Sequence, residues 1–324
     1  MGTIRGVGNT CRAVVKMDRR GIPETGRHQG RDLRVDQHQI DNGRLSAVIK
    51  ADGAELRSLR GAGGTELLWQ AGPVWPRHAP VLFPIVGRLK DDHLLHGGTS
   101  YPMTQHGFAR DRRFTWEEYG PLGCRLSLTD DAETRARYPF AFRLDTVYEL
   151  DESSLTVRYL LSNPGDVELP ASLGAHPAFR WPLVDGIPKD AHELEFENDE
   201  PAPVSRLDNG LLGDTGFPTP VEGRRLRLND ALFAEDALIL KHPASRSVRY
   251  TAPGAPGAPV IEVSWTGFEQ LGLWSKAGGD FLCIEPWQGF TSPAGFDGDF
   301  SEKPGLMHIP PGGKRELGYR VSIS

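Results

Sequence analysis

The sequence predicts an all-β protein, a sandwich built from unusually many antiparallel strands. Short alternations of apolar and polar residues recur along most of its length, and amphipathic helical spacing is almost absent. The chain also holds 38 glycines and 26 prolines among 324 residues, with no repeat period, so many tight turns are implied.

The alternation begins near Ile40, where Leu45, Ala47 and Ile49 alternate with polar or small residues. Ala51-Asp52-Gly53-Ala54 then supplies a turn, and the run returns through Leu67-Leu68-Trp69, an opening hairpin or meander. Cys124, Leu126 and Leu128 mark another strand. A short helix through Arg137 is expected next, with Asp130 as N-cap and Glu133 closing the capping box before Pro139 ends it. Leu144, Thr146, Tyr148 and Leu150 share one strand face, and Leu155, Val157, Tyr159 and Leu161 share another. Asp151-Glu152-Ser153-Ser154 joins them as a hairpin.

Residues 181–235 read as irregular, rich in proline and acidic groups. Strands resume at Ala237–Leu240, Ser247–Thr251, Pro259–Trp265, Leu271–Trp274, Phe281–Glu285 and Glu316–Ile323. The Gly/Pro-rich interval Ala252–Pro259 reads as a flexible turn within one domain. Residues 1–34 differ, with eight Lys/Arg against three Asp/Glu and no sustained period. They are expected to be a disordered basic extension, and residues 35–324 a single β-sandwich domain.

A net charge of −6 gives no footprint for nucleic acid, and no apolar run reaches the ~20 residues of a membrane span. No signal-peptide pattern stands at the start, and Cys11, Cys124 and Cys283 are too scattered for a disulfide framework or zinc site. A cytoplasmic protein is expected.

Three islands place ionisable groups in apolar, glycine-rich surroundings. They are Gln105–Arg110 with Arg88 upstream, Leu173–Phe179 around His176, and Phe281–Gly289 around Glu285. Glu285 closes an apolar run and precedes Pro286-Trp287, so partial desolvation should raise its pKa and suit it to accept a proton near neutrality. A strand-end carboxylate paired with an arginine is the plainer alternative. His176 and His106, each taken alone, fit buried histidines hydrogen-bonded to backbone. His93 and His96 read as surface loop residues, and a metal site joining them to His106 matches no ligand spacing.

Nucleophile-elbow, phosphate-loop and dinucleotide fingerprints are all missing. There remain one candidate base, two histidines, arginines, and exposed-looking tryptophans at 69, 75, 181, 274 and 287, a set suited to a sugar site.

Read together, PVLFPIVGRL at 80–89, QHGFARD at 105–111, GAHPAF at 174–179 and CIEPWQG at 283–289 resemble the aldose 1-epimerase (mutarotase) family. The similarity is to its bacterial LacX-like and hexose-phosphate-mutarotase-like branch. FAEDALIL at 233–240 and LGLWSK at 271–276 add to it, and the match spans roughly residues 40–323.

The resemblance implies a galactose mutarotase-like supersandwich of antiparallel sheets and acid/base chemistry that uses no cofactor and no metal. Matched by motif, Glu285 is the general base and His176 the general acid. Arg88, His106, Asp236 and Trp274 are expected to bind a small-molecule sugar or sugar phosphate. Arg88, Arg110 and Lys276 could form a phosphate clamp. A non-catalytic carbohydrate-binding protein remains the alternative on this fold. A glycosidase or lyase would need a second carboxylate such as Asp236 or Glu262.

Overall fold

The computed structural model describes residues 35–324; the basic segment 1–34, and the expectation of disorder there, lie outside the described residues. From Val35 onward the chain is the expected many-stranded β-sandwich. Its two large sheets have nine and eight strands and are accompanied by three small ones.

The nine-stranded sheet is centred on the hairpin anticipated from alternation. Strands Arg143–Asp151 and Ser154–Ser162 pair residue for residue through a two-residue turn at Glu152-Ser153. Lys314–Ile323 continues the ladder on the other side of Ser154–Ser162. The sheet then runs through Ile261–Thr266 and Ser247–Thr251 to Glu193–Phe196 and Arg225–Arg227. At its opposite end lie Gly123–Thr129 and Thr115–Tyr119. The opening segment forms the three-stranded meander Gln37–Asp41, Ser46–Lys50 and Leu56–Arg60.

The eight-stranded sheet carries the site. At its centre is Phe281–Gln288, with every residue buried. Gln270–Trp274 pairs with it on one side, and Leu173–Ala175 and Ala178–Arg180 on the other. Leu282 and Ile284 point into the main core, whereas Phe281, Cys283 and Trp287 belong to separate apolar clusters on the opposite face. This is the period-2 rule of a strand buried on both sides, and it places Glu285 on the face away from the main core.

Two expectations are corrected. The short helix is Ala132–Arg135, capped by Asp131 in a box closed by Thr134, not by Asp130 and Glu133. Asp130 instead accepts the backbone N–H of Phe142 and pairs with Arg135. The interval 181–235 is not wholly irregular, because it contains Glu193–Phe196, Val204–Asp208, Leu211–Phe217 and Arg225–Arg227. Arg225–Arg227 and Leu211–Phe217 form sheet edges, where one side needs no partner and polar side chains are tolerated.

Candidate active site

Register brings His176 and Glu285 together. Gly174 lies opposite Trp287 and Ala178 opposite Cys283 across the same antiparallel ladder. Each step up one strand is a step down the other, so position 176, in the break between the two short strands, falls opposite 285. Pro177, without a backbone N–H, occupies that break. His176 Nε2 stands 3.2 Å from Glu285 Oε2, and the two residues are 6% and 1% exposed.

The surroundings of this pair are dry and aromatic. Trp75 stacks on the His176 ring, with centroids 5.0 Å apart and planes at 28°, and the Trp274 ring meets it edge-on at 5.7 Å. Trp75 also stacks on Phe281, and its backbone carbonyl accepts the indole N–H of Trp69. Trp287 packs with Leu82, Val86 and Ile239. Gly272, opposite Glu285 in the register, makes room for it, since a Cβ there would lie 2.4 Å from the Trp287 ring.

Burial sets the proton affinities. It pushes the Glu285 carboxyl well above the usual carboxylate range, and the negative charge of Asp236 adds to the rise. It also lowers the His176 imidazole to about 3, assisted by the positive charge of Arg110. Both charged forms are therefore disfavoured, and burial favours the neutral arrangement of carboxylic acid beside imidazole, in which the pair holds one titratable proton. Glu285 Oε2, His176 Nδ1 and Trp287 Nε1 are buried polar atoms without a hydrogen-bond partner among the described residues. The expected alternative for Glu285, an arginine partner at a strand end, is not what is found: it lies within a strand, beside a histidine.

His106 meets the His176 ring edge-on at 5.6 Å. Its Nδ1 accepts the Gly87 backbone N–H at 3.1 Å, so the neutral ring carries its proton on Nε2. Burial, followed by the neighbouring His176 and Arg110, holds its pKa well below the ordinary value. Arg88 follows Gly87 directly; its half-exposed side chain lies within 3.0 Å of Asp92, its Cδ close against Gly210. Asp236 is exposed in a left-handed turn at φ 66°. With Arg206, Asp208, Asp214 and Phe217 it lines a cavity of about 770 Å³.

The other expectations divide. His93 is exposed, but it and His96 lie on the small hairpin His93–His96/Thr99–Pro102 rather than in a loop. His96 pairs with Asp299, and His78 lies 4.0 Å from Glu55. Of the tryptophans read as exposed, Trp181 and Trp287 are buried, because each fills a gap in the core with its ring. Arg88 and Arg110 already face Asp92 and Asp111, and Arg110 also donates to the Gln105 carbonyl. The sequence reading missed Trp75 as the ring stacked on His176; only its place between Pro73 and Pro76 hinted at a fixed orientation.

Cys283 completes the one cluster of metal-ligating groups among the described residues, its ligand atom lying within 4.8 Å of those of His176 and Glu285. Metal binding would require thiolate and carboxylate together. Burial raises both pKa values and opposes that state.

The comparisons agree with this fold. The aldose 1-epimerase family matches residues 36–295. The chain is 32% identical over 297 residues to the chromosomal protein LacX of Lactococcus lactis subsp. lactis, covering 88% of this chain and 98% of that protein. It is similar to a galactose mutarotase related enzyme from Lactobacillus acidophilus, with TM-score 0.81 and 32% identity over 89% of this chain and 97% of the other. A galactose mutarotase-like protein from Lactobacillus casei also gives TM-score 0.81, at 29% identity over 89% of this chain and all of the other. The chain belongs to the aldose 1-epimerase family.

Proposed function

We propose that the protein is a mutarotase that interconverts the α and β anomers of an aldose or aldose phosphate by acid/base ring opening and closure. The observation that carries this reading is the buried pair itself, with His176 Nε2 3.2 Å from Glu285 Oε2 in aromatic surroundings. A receptor that only bound sugar would have no need of it.

The pair's single proton gives the chemistry its balance. Transfer of that proton from Glu285 Oε2 to His176 Nε2 across their 3.2 Å contact leaves a carboxylate ready to accept a proton and an imidazolium ready to give one. Glu285 takes the proton of the C1 hydroxyl while His176 gives its proton to the ring oxygen, and the C1–O5 bond breaks. The aldehyde turns about C1–C2. Reclosure on its other face returns both protons and yields the opposite anomer. Each group acts as acid in one direction and base in the other.

His106 offers Nε2–H to a sugar oxygen, while Arg88 and Asp236 hold hydroxyls, restricting motion to the aldehyde. Trp274 presents an aromatic ring beside His176, suited to the apolar face of a sugar. Glu262 is set aside as a second catalytic carboxylate, since it pairs across from Ser322 and Arg249 in the nine-stranded sheet.

Polarimetry or NMR exchange on freshly dissolved glucose, galactose and their 6-phosphates tests the reading. Acceleration over buffer for at least one of them is expected. Calorimetric binding of these sugars with no acceleration of any would favour the receptor instead.

A further inference from the structure

Thr291 lies six residues beyond Glu285, is 3% exposed, and belongs to none of the motifs that marked the site. Its hydroxyl oxygen accepts the backbone N–H of Arg88 at 2.9 Å. The one hydroxyl proton has two carbonyls in reach, Gly210 at 2.8 Å and Arg88 at 3.1 Å. The Arg88 carbonyl already accepts from Ser292 N–H at 2.8 Å. The proton therefore goes to Gly210, whose carbonyl is the nearer, and the hydroxyl bridges two segments more than 100 residues apart in sequence.

One segment lines the cavity and the other lies against it. Gly210 is the turn of the hairpin Val204–Asp208/Leu211–Phe217, which lines the 770 Å³ cavity beside Asp236. A Cβ on Gly210 would lie 3.1 Å from Arg88 Cδ, so this turn is the shelf under the arginine stem. On the opposite side, a Cβ on Gly87 would come within 2.4 Å of Thr291 Cβ, so Thr291 is pressed against the residue before Arg88. Gly87 exchanges both its backbone groups with His106. The buried Lys303 donates to the Phe290 carbonyl at 2.6 Å and fixes the peptide leading into Thr291.

We propose that Thr291 is a positioning residue for Arg88, setting the arginine against the hairpin so that its guanidinium meets the sugar; this rests on the mutarotase reading. The side chain is buried beneath Arg88 and acts through it.

The test is a double-mutant cycle on the full chain, with anomer exchange measured as kcat and KM. Thr291→Val keeps the shape but leaves a buried N–H and carbonyl unpaired. It is expected to raise KM about tenfold with kcat changed less than about threefold. Thr291→Ser retains the hydroxyl and should stay within about twofold of wild type. In an Arg88→Ala background, Thr291→Val should change kcat/KM by less than about twofold, because the residue it positions is gone. The same tenfold loss in both backgrounds, or no loss in either, overturns the proposal. Should Thr291→Val fail to fold, Thr291→Ala removes the same hydroxyl without added bulk, and its effect on KM must likewise vanish with Arg88→Ala. Calorimetric sugar affinities of the same variants separate the two failures. A wild type that binds without accelerating contradicts the mutarotase reading, while the coupling of Thr291 to Arg88 is still read from the affinities.

Discussion

Glu285 and His176 face each other in the interior of a sheet, 1% and 6% exposed and enclosed by aromatic rings. Arg88 and Asp236 lie on turns at the rim, the arginine side chain 43% exposed beside a carboxylate and Asp236 exposed beside an open cavity. The first region fixes atoms by register and burial, which perturbs proton affinity. The second fixes them by hydrogen bonds between loops, which leaves charge solvated and shape adjustable. Proton transfer needs the former and recognition of hydroxyls the latter, so losses in the two regions should differ in kind as well as in size.

The largest effect is expected at Glu285. Glu285→Gln should lower kcat by about 10³–10⁴ with little change in KM, the upper range for a positioned acid/base group. Unchanged far-UV circular dichroism would show that the fold survives. His176→Asn should lower kcat by about 10²–10³. Arg88→Ala should act mainly on KM, raising it about 10–100-fold while kcat falls less. A kcat-dominated loss there would break the division between the regions.

Gly272→Ala probes packing without touching an ionisable group. The added methyl meets the Trp287 ring. It should cost about 1–3 kcal/mol of stability by overpacking, read from denaturant midpoints.

The most gradual effect is on pH dependence. Glu285 is raised in the folded state above its ordinary 4.5, so the folded chain keeps a proton that the unfolded chain releases. Its stabilising contribution is full below pH 4.5 and is lost as pH rises towards the folded value. The stability of Glu285→Gln relative to wild type should therefore grow as pH rises above 4.5, by at most about 1.4 kcal/mol per pH unit, until the folded value is passed. Thermal melts across that range check it, and a difference that shrinks with pH would contradict a buried, protonated Glu285.

Much of this was legible in the sequence where alternation was long and uninterrupted. The hairpin of Arg143–Asp151 and Ser154–Ser162 could be read because Leu144 to Leu161 keep period 2 on both sides of a short polar turn. Strands such as Glu193–Phe196 could not, since four residues with two glutamates carry too little pattern. The helix cap slipped by one residue because Asp130 and Asp131 are adjacent and Thr134 closes the box as well as a glutamate would. At the site, residue types and motifs singled out His176 and Glu285. Their opposition depends on register between segments more than 100 residues apart, which only the ladder supplies. Thr291 carried no signal, because a buried threonine near a strand end is unremarkable until its partners are known.

Glu285 and His176 acting as one proton-holding unit should not show multiplying losses, and a rate cycle of Glu285→Gln, His176→Asn and the double variant measures this. The predicted result is that adding His176→Asn to Glu285→Gln costs less than about twofold in kcat, as for groups that act as a unit. Independent losses that multiply in the double variant would contradict a single unit.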